Sequence, residues 1–120
     1  MKIAFDLDNT IDANPHHMQS LMSALKAAGQ HVAVVTGTGD DVATEAEWKR
    51  KFDYLASLGC SACWNELIVL AHDGKPIEEV KAAYLKDNGY DILFDNSKDN
   101  AKEATKAGIP LVLVPWASRF

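Results

Sequence analysis

Val32-Ala33-Val34-Val35-Thr36-Gly37-Thr38-Gly39 is an apolar run without alternation, closed abruptly by hydroxyl and glycine residues. A strand with one wet face alternates between apolar and polar residues, whereas a strand covered on both faces does not. This segment therefore reads as an inner strand of a parallel sheet that ends in a polar turn. Ile3-Ala4-Phe5, Leu67 to Leu70, Ile92 to Phe94 and Leu111 to Val114 share the pattern.

Helical spacing fills the gaps between these runs. Met18, Leu21, Met22, Leu25 and Ala28 recur at i, i+3, i+4 and i+7, as do Trp48, Phe52 and Leu55, and then Ile77, Val80 and Tyr84. A short alanine-rich helix is expected around Ala101 and Ala104. Gly29, Gly59, Gly89 and Gly108 each follow a helical stretch, where a left-handed residue ends a helix. Asn14-Pro15 reads as an N-cap and first helical residue, and Pro76 as another first residue. Asp40 or Asp41 is expected to cap the second helix, and Ser97 or Asn96 the fourth. Strand and helix thus alternate along the whole chain. Right-handed crossovers make this an α/β fold, a single Rossmann-like domain over residues 1–120. Its five-stranded parallel sheet carries helices on both faces.

Composition narrows the function. The 120 residues are 48% hydrophobic, enough for an ordinary core and too many for a disordered chain. Lys and Arg number 12 against 17 Asp and Glu, a net charge of −5 that argues against a nucleic-acid coat protein. No apolar run approaches the roughly 20 residues that span a bilayer, so no membrane partner is expected. Asp6 and Asp8 interrupt the N-terminus too early for a secretory signal, and a cytoplasmic location is expected. Cys60 and Cys63 form one Cys-x-x-Cys, which reads chiefly as small, part-buried residues, then as a reactive pair, and last as part of a metal site. Trp116 and Phe120 suit an interface or a sheet edge.

In open α/β sheets, ligands bind beyond the carboxyl ends of the strands. The residues that follow the strands here are Asp6, Asp8, Asn9 and Thr10; Thr36 and Gly37; His72, Asp73 and Lys75; and Asp95, Asn96, Ser97 and Asp99. Any one cluster could simply cap a helix or form a turn. Together, Asp6, Asp8, Asp95 and Asp99 would crowd like charges into one pocket, which a divalent cation relieves. All-oxygen ligands favour Mg²⁺. Thr36 and the amides near Gly37 offer donors to a phosphate oxygen, and Lys75 adds positive charge. The set describes a site that accepts a phosphoryl group.

Phe5-Asp6-Leu7-Asp8-Asn9-Thr10 resembles the strand and Asp-x-Asp-x-Thr that open the haloacid dehalogenase (HAD) superfamily. Val34-Val35-Thr36-Gly37, Lys75-Pro76 and Asp95 to Asp99 resemble its later motifs, in order. The resemblance implies a Mg²⁺-dependent hydrolase of phosphate monoesters. Asp6 would be the nucleophile and form an aspartyl-phosphate, and Asp8 the general acid and base. Thr36 would bind phosphate and Lys75 would neutralise charge. Lys81, further along the same helix, is the alternative lysine. Asp6, the backbone carbonyl of Asp8, and Asp95 would hold the metal, with Asp99 in support. Phe94 and Asn96 depart from the commoner glycine and aspartate, so Asp99 would have to supply any second carboxylate of that motif. The gaps after the first and second motifs leave no room for a cap domain. Capless relatives include the phosphatase domain of polynucleotide kinases. The implied substrate is therefore a small phosphoester, a nucleotide or a nucleic-acid 3′-phosphate at an open site, which a second subunit could cover.

Trp48-Lys49-Arg50-Lys51 could contact a strand end, but it reads first as a packed tryptophan beside a solvated charged face. His16-His17 reads as a surface pair, or as part of the pocket entrance. Two other functions compete: a response-regulator receiver domain, and a phosphate-binding module without turnover.

Overall fold

The structure is a computed structural model that describes residues 1–115. Trp116 and Phe120 lie outside the described residues. Strands β1 (Lys2–Phe5), β2 (His31–Gly37), β3 (Glu66–Leu70), β4 (Ile92–Phe94) and β5 (Leu111–Leu113) alternate with helices α1 (Pro15–Ala27), α2 (Glu45–Ser57), α3 (Ile77–Asp87) and α4 (Lys98–Lys106). All four strand pairings are parallel, in the order β3-β2-β1-β4-β5. The expected α/β architecture of five parallel strands is what the chain adopts, and among the described residues no cap domain interrupts it.

The two-residue period of a strand sorts the core into two layers. Ile3, Phe5, Val32, Val34 and Leu67 pack with Met18 and Met22 of α1 and Leu55 of α2. Ala4, Ala33, Val35 and Leu93 face the other way, against Leu85 of α3 and Ala104 of α4. The unalternating runs follow from this double cover. All four glycines expected to end helices have positive φ.

The order also bears on function. A receiver-type sheet runs 2-1-3-4-5, with strand 3 beside strand 1. Here β3 is an edge strand and β1 pairs with β2 and β4. The receiver reading fails on topology.

Several local expectations are corrected. Thr44, not Asp40 or Asp41, caps α2, its hydroxyl accepting from the Glu47 amide at 3.2 Å. The two aspartates instead tie neighbouring loops together. The Asp40 carbonyl accepts from the His72 amide at 2.9 Å, and the Asp41 carboxylate from the Gly74 amide at 3.2 Å. Pro76 sits just before α3, in extended backbone. Pro15 opens α1 as expected, but the Asn14 side chain meets His17 Nδ1 rather than a helix amide. Ser97 caps α4 as expected, accepting from the Asn100 amide. Cys60 and Cys63 are joined in a disulfide and buried beneath α1 and α2. The turn after α2 brings their Cα atoms to 5.5 Å, well within disulfide range.

Candidate active site

β1 and β4 are adjacent, yet the chain leaves β1 for β2 on one side and reaches β4 on the other. This is the topological switch point, where an open sheet forms its crevice. The ladder continues one residue past each strand, with the Asp6 amide donating to the Phe94 carbonyl at 2.9 Å. By parity Asp6 follows Ala4 and Asp95 follows Leu93 on the α3/α4 side. Both carboxylates therefore emerge side by side toward α3.

Lys81 of α3 meets them. Its ammonium donates to Asp6 Oδ1 at 2.8 Å and to Asp95 Oδ2 at 2.9 Å, and the residue is only 2% exposed. The same Asp95 carboxylate accepts from the Ser97 amide and from Asn100 Nδ2, each at 2.9 Å. Thr10 is fully buried, and its hydroxyl donates to Asp6 Oδ2 at 3.2 Å while accepting from the Asn96 amide at 3.1 Å. Thr10 belongs to the irregular turn Leu7–Ile11, in which Asn9 holds φ +59°. That strained residue is braced by its own amide, which donates to Asp12 Oδ1.

An open cleft of about 340 Å³ lies over this floor. Asp6, Asp8, Thr36, Gly37 and Lys81 line it, with Asn96, Ser97 and Asn100 on the α4 side. Gly37 packs closely against α3: a Cβ there would come within 2.8 Å of Ile77 Cδ1, so any larger residue requires the Ile77 side chain to move. Thr36 is 1% exposed, and among the described residues its hydroxyl has no hydrogen-bond partner. An orphaned buried hydroxyl on a cleft wall is an open position for a ligand oxygen. The Asp8 carboxylate is 62% exposed and lies 3.8 Å from Lys51 Nζ of α2.

The charges are unbalanced. Burial pushes the Asp6 carboxyl up to about 6, with the Asp95 charge adding to the rise and Lys81 and Thr10 opposing it. Burial alone would lower the Lys81 pKa, but the charges of Asp6 and Asp95 outweigh it and raise it. One ammonium thus serves two buried carboxylates, and the floor keeps a negative surplus.

Of the residues expected at the site, Asp6, Asp8, Thr36, Gly37 and Asp95 come together here. Two do not. Lys75 lies outside the cleft, in a separate depression with Asp73 and Glu79, and the lysine of the site is Lys81. Asp99 is exposed on α4 and does not line the cleft; Asn100 takes the place beside Asp95. The helix geometry explains both. Ile77, Lys81 and Leu85 fall four residues apart, on the stripe of α3 that faces the sheet. A lysine on the buried stripe of a helix was the signal available in the sequence. His16 and His17 are exposed at the start of α1 and take no part. Trp48 packs as expected, stacked on Phe52.

Does this floor suit a divalent cation? Among the described residues no three His, Cys, Asp or Glu side chains converge, so a cage of carboxylates is absent. Mg²⁺ needs no such cage. It binds through one or two carboxylates and completes its shell with waters and substrate oxygens. Two adjacent carboxylates with surplus negative charge fit that requirement.

Comparison with protein-family models finds no match, and comparison with curated proteins finds none either.

Proposed function

We propose that this chain is a Mg²⁺-dependent phosphomonoesterase of HAD type, with Asp6 as nucleophile. The observation that carries the proposal is the buried Lys81, shared between Asp6 and Asp95 at the switch point of the sheet. The unpartnered Thr36 hydroxyl across the cleft supports it. An ammonium fixed on a carboxylate orients that carboxylate and offsets the charge that builds as it approaches a phosphate.

In the first half-reaction an Asp6 oxygen attacks phosphorus. The new O–P bond forms as the bond to the leaving oxygen breaks, and that oxygen takes its proton from Asp8. In the second, Asp8 as carboxylate removes a proton from water. The water oxygen attacks phosphorus, the bond to Asp6 breaks and inorganic phosphate leaves. Thr36 and the Gly37 amide bind phosphoryl oxygens throughout. Asp6, Asp95 and the Asp8 carbonyl would hold Mg²⁺, which supplies positive charge to the phosphoryl group. Asn100 and Ser97 keep Asp95 oriented. The open cleft suits a small phosphoester, a nucleotide or a nucleic-acid 3′-phosphate. Among the described residues no helix is long and apolar enough to cross a membrane.

The test is phosphate release from p-nitrophenyl phosphate, with and without Mg²⁺, beside an Asp6→Asn variant. The expected result is metal-dependent turnover that falls by at least about a thousandfold in the variant. Turnover that survives in Asp6→Asn would overturn the role of Asp6. Absence of turnover on this ester and on a nucleotide panel would leave a phosphate-binding module instead.

A further inference from the structure

Lys49, Arg50 and Lys51 follow one another on α2 but do different things. Lys49 pairs with Asp53 in solvent and Arg50 with the largely covered Glu47, both within the helix. Lys51 points elsewhere. Its side chain is 21% exposed, and its carboxylate partner is Asp8, at 3.8 Å. That separation is an ionic contact without a hydrogen bond, so all three donors of the ammonium are uncommitted to Asp8. The placement is not a floppy accident of a surface lysine. Tyr54, one turn further along α2, donates to Asp12 Oδ2 at 2.7 Å, and Asp12 Oδ1 accepts from the Asn9 amide. The helix is thereby fastened to the very turn that carries Asp8.

The charge inventory gives Lys51 its task. A phosphomonoester is an anion approaching a cleft already surplus in negative charge. Lys81, held between Asp6 and Asp95, serves the transferring phosphoryl group and not a second anion on the leaving alcohol. Lys51 does not itself line the cleft, but it contacts Asp8, which does, and it is not hydrogen-bonded to a carboxylate. It stands beside Asp8, the group that protonates the leaving oxygen, and hence on the leaving-group side.

We propose that Lys51 is a specificity-determining residue that binds a second anionic group on the leaving alcohol. The preferred substrates are then phosphomonoesters whose alcohol carries a further phosphate. This inference rests on the phosphatase reading for the assignment of the leaving-group side. Its test reads binding, so the two can fail separately.

Equilibrium titrations with Mg²⁺ present would compare thymidine 3′-monophosphate with thymidine 3′,5′-bisphosphate on the turnover-blocked Asp6→Asn protein. The bisphosphate is expected to bind at least about tenfold more tightly, the scale of one charge-assisted hydrogen bond. Adding Lys51→Met should erase that preference and Lys51→Arg should keep it. The preference should also shrink with added salt. A preference that persists in Lys51→Met, no preference in the Asp6→Asn protein, or no binding of either nucleotide would each overturn the assignment. Absence of phosphate release by the wild-type chain, with the Lys51-dependent preference intact, would instead overturn the catalytic reading alone.

Discussion

Without a metal ion, Asp6 must share one ammonium with Asp95 on a floor that water barely reaches, and its carboxyl is raised to about 6. The folded state therefore holds a proton there more tightly than the unfolded chain does. Between about pH 4 and pH 6 the unfolded chain has given up that proton while the folded protein still holds it, so stability falls as pH rises through this window, by on the order of 2–3 kcal/mol once the folded carboxylate is ionised as well. Asp6→Asn removes the surplus charge while keeping the shape. In EDTA the variant should be more stable than the wild type at pH 7, and the two should converge toward pH 4. Urea titrations at both pH values test this, and a gap that does not change with pH would refute it. The carboxylate proposed as nucleophile is thus expected to weaken the metal-free fold.

Among the elements, α3 is the informative one. Its stripe of Ile77, Lys81 and Leu85 puts a lysine where a core residue would normally sit. Removing one partner of a buried charge group leaves the others uncompensated. Lys81→Met is expected to cost about 3–5 kcal/mol at pH 8. Lys75→Met, in an exposed loop, should fall within about 0.5 kcal/mol of wild type. Denaturant midpoints of the two variants decide it, and equal losses would contradict the assignment of Lys81. The same helix shows where sequence reading succeeds and where it stops. Unalternating runs such as Val32 to Val35 announce a doubly covered strand, because burial on both faces leaves no room for polar residues. Asp6, Asp95 and Thr36 follow from strand ends. The choice between Lys75 and Lys81 turns on helical phase. Ile77, Val80 and Tyr84 make as good an apolar stripe on paper as Ile77, Lys81 and Leu85. Only packing against the sheet selects the second. Asn100 and Asp99 differ by one residue and one such rotation. The Thr44 cap was hidden because the two earlier aspartates were already engaged with the β3–α3 loop.

At the scale of the molecule, the two core layers meet at β1, which pairs with both β2 and β4 and leads into Asp6. Ile3 pairs with Ile92, so the centre of the sheet joins segments 89 residues apart in sequence. Long-range pairings of this kind form late, since a long loop must close before they stabilise anything. Ribosome-stalled chains ending at residue 90 should be readily digested by protease, whereas the full chain on a C-terminal linker should resist. A resistant core at residue 90 would show that β1 needs no second neighbour. Synthesis then acts as a timer. Asp6 leaves the ribosome well before Lys81, and Lys81 has only one of its two carboxylate partners until Asp95 follows. A chain that ends before Asp95 is expected to hold Asp6 and Lys81 without the second carboxylate, and so to lack the completed floor of the cleft.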